Sequence, residues 1–138
     1  MKQKLNCVLL IDDDEPTNFL NEIVIKQTDC TEKCVALQSG RTALEYLTSQ
    51  KNGSQQHPDL ILLDINMPAM NGWEFLDACR EHVNGNIGNS VVVMLTTSMN
   101  PDDEEKAKTY ALVNDFKHKP LTVETIHDII GKHFPDRL

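Results

Sequence analysis

Residues 60–72 read LILLDINMPAMNG, and this stretch decides the fold. Its first four residues, Leu60–Leu63, form a short apolar run that is soon followed by a proline and a glycine, which is typical of a buried strand ending in a loop. Asp64 is the first residue after that run. In α/β proteins such a strand delivers its last residues to the sheet edge where these folds place their chemistry. Asp64 is therefore a candidate ligand or nucleophile.

Apolar runs and helical patterns alternate along the rest of the chain. Strands are predicted at Leu5–Ile11, Cys34–Leu37, Leu60–Leu63, Val91–Leu95 and Asp115–Lys117. The helices that follow them begin near Pro16, Ser39, Gly72, Asn100 and Thr122. The first helix carries Phe19, Leu20, Ile23 and Val24 at helical spacing, and the fourth is predicted over Pro101–Leu112. Five βα units predict an α/β fold with a parallel sheet and helices on both faces.

Composition narrows the classes of function. The chain has 138 residues and 40% hydrophobic residues, which suits one domain over residues 1–138 with one core and no second, output domain. No apolar stretch approaches the roughly 20 residues of a membrane span. A net charge of −8 argues against direct binding of nucleic acid and suits a divalent cation if the acids cluster. The four cysteines form no CxxC pair and no secretory signal is expected, so we expect a reducing, cytoplasmic setting.

Chemically active side chains follow four of the predicted strands. They are Asp12 and Asp13 after the first strand, Asp64 after the third, Thr96 after the fourth and Lys119 after the fifth. Because the carboxyl ends of parallel strands share one edge of the sheet, we expect these side chains to line one crevice. Neighbouring carboxylates repel one another unless a cation joins them, and their oxygens suit Mg²⁺. Together with a lysine and a hydroxyl, they predict a site that forms an acyl phosphate on a carboxylate nucleophile.

Each of these residues also has an ordinary interpretation. An aspartate at a strand end is usually a turn former or a helix cap, and Asp14 or Glu15 could cap the first helix. Thr96 alone would be a β-branched strand residue, and Lys119 alone would be a surface charge. Their occurrence together at successive strand ends is much harder to explain by chance.

Four sequence motifs, in order and at matching spacing, resemble the receiver domain of two-component response regulators. They are LLIDD at Leu9–Asp13, LLDINMPAMNG at Leu62–Gly72, MLTT at Met94–Thr97 and FKHKP at Phe116–Pro120. The chain looks most like single-domain, chemotaxis-regulator-like receivers. The stretches His57–Asp64 and Val92–Ser98 are also similar to receivers that partner phytochrome kinases. This resemblance implies a doubly wound (βα)5 flavodoxin-like fold with strand order 2-1-3-4-5.

The resemblance also implies roles for the residues of the acidic cluster. Asp64 would be the phosphoacceptor. Asp13 would bind Mg²⁺ directly, Asp12 would assist through water, and Asn66 would offer its backbone carbonyl to the metal.

A second group of residues would respond to the phosphoryl group. Thr96 would bond one phosphoryl oxygen and Lys119 would pair with another, with Pro120 after it in a cis peptide. Phe116 stands where the family places its rotameric aromatic, which turns inward behind Thr96. The implied function is a signalling switch rather than an enzyme, since it would catalyse only its own phosphorylation and dephosphorylation.

The implied phosphodonor is a histidine kinase or a histidine phosphotransfer protein, and the receiver would be a monomer or a phosphorylation-dependent homodimer without membrane contact. Two other classes fit the pattern less well. Phosphatases of the haloacid dehalogenase type carry a second acid two residues after the nucleophile, where this chain has Asn66. A flavodoxin-like FMN protein needs a hydroxyl- and glycine-rich phosphate loop after the first strand, where this chain has acids at Asp12–Glu15.

Overall fold

The computed structural model describes residues 3–49, 57–82 and 89–137. Strands and helices alternate through them, and a short 3₁₀ helix follows at Pro135–Arg137. The strands are β1 (Leu5–Ile11), β2 (Thr31–Leu37), β3 (Leu60–Leu63), β4 (Val91–Thr96) and β5 (Asp115–His118). The helices are α1 (Glu15–Thr28), α2 (Gly40–Ser49), α3 (Gly72–His82), α4 (Pro101–Lys108) and α5 (Val123–His133). In these ranges no helix is both long and apolar enough to cross a membrane.

The strands form one parallel sheet in the order β2-β1-β3-β4-β5, which confirms the expected doubly wound fold. Ile11 lies opposite Leu63, and Leu63 lies opposite Met94. The carboxyl ends of β1, β3 and β4 are therefore in register. This register brings the residues that follow these strands, Asp12 and Asp64 among them, to one edge of the sheet.

Two apolar layers cover the two faces of the sheet. Alternate strand residues such as Leu9, Ile61 and Met94 pack with buried residues of α2, α3 and α4. The residues between them, such as Leu10, Leu62 and Leu95, pack with α1 and α5. Side chains of a strand alternate between the two faces of the sheet, and here both faces are covered. The central strands therefore have continuous apolar sequences.

Gly72 brings the start of α3 against the end of β3. Its N–H donates to the carbonyl of Ile65 at 2.8 Å. A Cβ atom at this position would lie 2.7 Å from the carbonyl oxygen of Asp64. A side chain at residue 72 would therefore displace the backbone that carries Asp64.

The fourth helix is shorter than predicted. It ends at Lys108 rather than at Leu112. The N–H groups of Thr109 and Tyr110 donate to the carbonyls of Lys106 and Ala107, three residues back. The Thr109 hydroxyl also donates to the Lys106 carbonyl, at 2.6 Å. Because these bonds span three residues rather than the four of an α-helix, the chain forms turns here and the helix ends. The second strand is longer than predicted, because it begins at Thr31.

The first helix is confirmed, but most of the apolar residues at helical spacing do not form its buried face. Phe19 is 64% exposed, Leu20 is 60% exposed and Ile23 is 39% exposed. The buried residues are Asn18, Asn21 and Ile25. The helix thus places part of its apolar surface in solvent beside the carboxyl edge of the sheet.

Candidate functional site

Three carboxylates meet at the carboxyl edge of the sheet. Asp12, Asp13 and Asp64 each offer an oxygen within 4.8 Å of the others. Asp12 and Asp64 are buried, with 4% and 6% exposure, while Asp13 is exposed. The Asp64 N–H donates to the carbonyl of Ile11 at 2.9 Å, which fixes the third strand end against the first. The predicted acidic cluster is therefore assembled, and it is open to solvent on the side of Asp13.

Asp12 is held by groups that the sequence analysis did not single out. The buried Asn18 side chain donates from Nδ2 to the carbonyl oxygen of Asp12 at 2.8 Å. The Asp14 N–H donates to the Asp12 carboxylate at 2.9 Å. The sequence did contain a signal for this role of Asn18. A polar residue one turn after the helix cap lies beside the end of the strand that precedes the helix.

The aspartate that follows the cluster, Asp14, has the ordinary role that was considered for it. Its side chain caps α1 by accepting from the Thr17 N–H at 3.1 Å. Glu15 is the first residue of the helix rather than its cap. Neither residue belongs to the three-carboxylate cluster.

Lys119 reaches the cluster from the other end of the chain. Its ammonium nitrogen Nζ lies 2.6 Å from Asp12 Oδ2 and 3.3 Å from Asp64 Oδ1. The peptide bond between Lys119 and Pro120 is cis, as expected. Burial lowers the pKa of Lys119, but the hydrogen bond to Asp12 and the charge of Asp64 outweigh it, so this pKa is higher than usual. The lysine therefore stays charged beside the two buried carboxylates.

The environment of Asp64 differs from that of an exposed carboxylate. Burial and then the charge of Asp12 raise the pKa of Asp64 to about 6, against the opposing attraction of Lys119. A cation placed among the three carboxylates would relieve this repulsion. Carboxylate oxygens are the ligands that Mg²⁺ prefers, and few of them are needed because the ion keeps part of its water. The donor set therefore fits Mg²⁺.

Thr96 ends β4 and is fully buried. Its hydroxyl accepts a hydrogen bond from the Ser98 N–H at 3.0 Å, and its carbonyl accepts from the Lys119 N–H at 2.8 Å. Asn66 lies two residues beyond Asp64 with an exposed side chain. The structure thus places Thr96 and Asn66 next to the strand ends that carry the site.

Phe116 on β5 is half-buried against the layer that contains Met94. Its ring meets that of His118 edge to face, with centroids 5.6 Å apart. Phe116 also lines a pocket of about 200 Å³ beneath α4. The ring therefore lies in the layer between β4 and α4, with space beside it.

The packing of α4 depends on Trp73, which the sequence analysis did not single out. The Trp73 ring lies 5.2 Å from that of Tyr110, and Lys106 Nζ lies 4.9 Å from the Trp73 ring centroid. Ala107 is the only residue of α4 that is buried. Trp73 therefore contacts the last part of this helix and the turn that follows it, where little of the helix is buried.

Known proteins with the same fold share this sequence pattern. A family model described as the response regulator receiver domain matches residues 8–131. The chain is 35% identical to a solved two-component response regulator from Cytophaga hutchinsonii, with a TM-score of 0.86, over 94% of this chain and 97% of the other. It is 27% identical to the bacteriophytochrome response regulator RtBRR, with a TM-score of 0.74, over 92% of this chain and 76% of the other.

A relative with a different name shows how the same unit occurs in a longer protein. A probable cyclic di-GMP phosphodiesterase of Vibrio cholerae is 30% identical over 99% of this chain, and the chain spans 29% of that protein's length. The sheet order, the strand-end carboxylates and the family match agree with one another. The chain belongs to the response regulator receiver domain family.

Proposed function

We propose that this protein is a phosphoryl-accepting response regulator of a two-component system or phosphorelay. A histidine kinase or a histidine phosphotransfer protein donates the phosphoryl group, and Asp64 accepts it. The observation that carries the proposal is the position of Asp64, buried beside Asp12 and Asp13 with Lys119 Nζ 3.3 Å from its carboxylate. This arrangement supports a role for Asp64 as nucleophile, for the three carboxylates as metal ligands and for Lys119 as the compensating cation.

In the proposed reaction, one oxygen of Asp64 attacks the phosphorus atom of phosphohistidine. A phosphorus–oxygen bond forms, the phosphorus–nitrogen bond breaks, and the imidazole leaves with its bonding electron pair and takes up a proton. Lys119 compensates the charge on the phosphoryl oxygens. Asp12, Asp13 and Asp64, with the backbone carbonyl of Asn66, would hold Mg²⁺, which would neutralise charge on the phosphoryl group when bound. Positioning and electrostatic compensation account for the catalysis.

The phosphoryl group then draws the Thr96 hydroxyl toward Asp64, and Phe116 turns into the space that Thr96 leaves. The pocket beside Phe116 and the small buried area of α4 support a change in the surface formed by α4, β5 and α5. This is a local charge event that shifts a two-state equilibrium.

The donor protein is proposed to cover the exposed side of α1. A groove between α1 and the cis Lys119–Pro120 bond is lined by Leu20, Ile23 and Leu121, among others, and Lys119 lies in its wall. Leu20 in this groove is a large apolar side chain that is 60% exposed. A donor that places its phosphohistidine at Asp64 would bury this surface.

Several properties of the whole protein follow the same proposal. Residues 1–138 would act as one receiver domain, and its switching surface would pass the signal on by contact with its target. It would act in the cytoplasm as a monomer or a phosphorylation-dependent homodimer. It would be a switch rather than an enzyme with an external substrate.

The direct test is phosphorylation by acetyl phosphate with Mg²⁺. Intact mass should increase by one phosphoryl group that is labile to hydroxylamine, and Asp64→Asn should accept none because an amide is not a carboxylate nucleophile. Asp77→Asn, at a half-exposed position of α3 outside the acidic cluster, is a matched control that should be phosphorylated normally. A stable phosphoryl group on a serine or threonine would overturn the proposal.

A further inference from the structure

A short chain of hydrogen bonds joins Thr96 to the first turn of α4. The Ser98 N–H donates to the Thr96 hydroxyl oxygen at 3.0 Å. The Ser98 hydroxyl donates to the Asp103 carboxylate at 2.5 Å and accepts from the Asn100 N–H at 3.2 Å. Ser98 therefore connects a side chain of the candidate site to a side chain of the helix that follows.

The position of Asp103 suits it to this contact. Asp103 is half-buried, whereas its neighbour Asp102 is exposed. The backbone N–H of Asp103 donates to the carbonyl of Asn100, the helix cap, so the residue stands in the first turn, where a negative charge is favourable. A hydrogen bond to a charged carboxylate is stronger than one between neutral groups.

We infer that the Ser98–Asp103 hydrogen bond is a latch that stabilises the arrangement in which Thr96 bonds to Ser98, and that phosphorylation of Asp64 works against this latch. The inference rests on the proposed function. A phosphoryl group on Asp64 draws the Thr96 hydroxyl away from the Ser98 N–H, and this bond has to break while Asp103 holds Ser98 in place. Ser98 and Asp103 are thus positioning residues that act through Thr96.

The latch predicts that switching becomes easier when Asp103 is removed. Beryllofluoride, which mimics an acyl phosphate, is titrated into the native protein, Asp103→Ala and the matched control Asp102→Ala. Binding is followed by the fluorescence of Trp73, the single tryptophan, which contacts α4. We expect the dissociation constant of Asp103→Ala to be roughly tenfold lower than that of Asp102→Ala, since lost bonds to charged groups have effects of this size. An equal or higher dissociation constant overturns the latch.

A second variant separates the hydrogen bond from the charge. Ser98→Ala removes the donor without changing the net charge, and it should lower the dissociation constant in the same direction. In the Ser98→Ala/Asp103→Ala double variant, the combined effect should be smaller than the sum of the two single effects, because both substitutions remove the Ser98–Asp103 hydrogen bond. Additive effects would mean that the residues act independently and would overturn the inference.

A third measurement needs no phosphoryl mimic. In the protein without beryllofluoride, amide hydrogen exchange at Ser98 and Asn100 should be faster in Asp103→Ala than in Asp102→Ala, and unchanged exchange would count against the latch. Phosphorylation of the native protein by acetyl phosphate distinguishes a failure of the latch from a failure of the proposed function. Normal phosphorylation with unchanged affinities overturns the latch alone, while absent phosphorylation at Asp64 overturns the proposed function and the latch with it.

Discussion

Lys119 donates a hydrogen bond to Asp12 at 2.6 Å, although the two residues stand 107 positions apart in the chain. The same ammonium group lies 3.3 Å from Asp64. One cation therefore compensates two buried carboxylates whose mutual repulsion would otherwise oppose folding. The first and last strands of the chain are joined at the point where the chemistry is proposed.

Mg²⁺ should stabilise the fold. A ligand that binds only the folded protein adds about 2.7 kcal/mol when its concentration is 100 times the dissociation constant. The melting temperature of the native protein should rise with millimolar Mg²⁺, and Asp13→Asn should abolish most of this rise by removing one charge at nearly constant shape. Differential scanning fluorimetry with and without EDTA measures both. A native melting temperature that does not respond to Mg²⁺ would contradict the metal site.

Without a divalent cation, Asp64 should cost the protein stability at neutral pH. Its pKa in the folded protein is raised from 3.8 to about 6, so the folded state binds more protons than the unfolded state between these values. The contribution of Asp64 is therefore most favourable below pH 4 and is lost as the pH rises through 6. We expect Asp64→Asn to be more stable than the native protein by about 1–3 kcal/mol at pH 7.5, with the difference disappearing toward pH 4.

Urea unfolding at several pH values in EDTA measures this difference. Asp77→Asn, which removes a half-exposed carboxylate elsewhere, serves as the control and should show little pH-dependent gain. A native protein that is more stable than Asp64→Asn at pH 7.5 would mean that Lys119 overcompensates the buried charge.

Thr96 and Phe116 should separate phosphorylation from the conformational response. Thr96→Ala keeps the nucleophile and the metal ligands, so beryllofluoride should still bind, but the change in backbone amide shifts should stay near Asp64. In the native protein the shifts should spread to residues 101–134. Phe116→Ala should be phosphorylated normally and alter the affinity for the downstream partner. If Thr96→Ala shows the native spread of shifts, the coupling does not pass through Thr96.

Leu20→Asp should impair transfer from a protein donor without impairing the chemistry. Leu20 is 60% exposed and lines the groove beside Lys119, so a charge there opposes an apolar contact with the donor. We expect at least tenfold slower phosphorylation by the cognate kinase, which corresponds to about 1.4 kcal/mol, and an unchanged rate with acetyl phosphate. Arg41→Asp, on the exposed surface of α2, is a control. Equal slowing with both donors would place the defect in the site itself.

Much of the architecture was accessible from the sequence. The short apolar runs predicted the strands, and the carboxyl ends of the parallel strands were expected to meet at one edge. The pairing of Ile11 with Leu63 agrees with that expectation. The sequence alone therefore predicts that one crevice is lined by Asp12, Asp13, Asp64, Thr96 and Lys119. The helix starts near Ser39, Asn100 and Thr122 were also predictable, because these residue types are preferred as helix caps. In the structure each side chain accepts from an N–H group two or three residues later.

Tertiary structure decided what depends on the packing of distant elements. Helical spacing identifies an apolar stripe on α1, but only the docking of α1 against β1 and α5 shows that Phe19 and Leu20 remain exposed while Asn18 is buried. The packing of Trp73 on Tyr110 likewise joins side chains whose approach no local pattern encodes. Local sequence set the periodicity and the strand ends, since these depend on neighbouring residues. The partners of buried polar groups and the surface left for other proteins depended on how the layers pack.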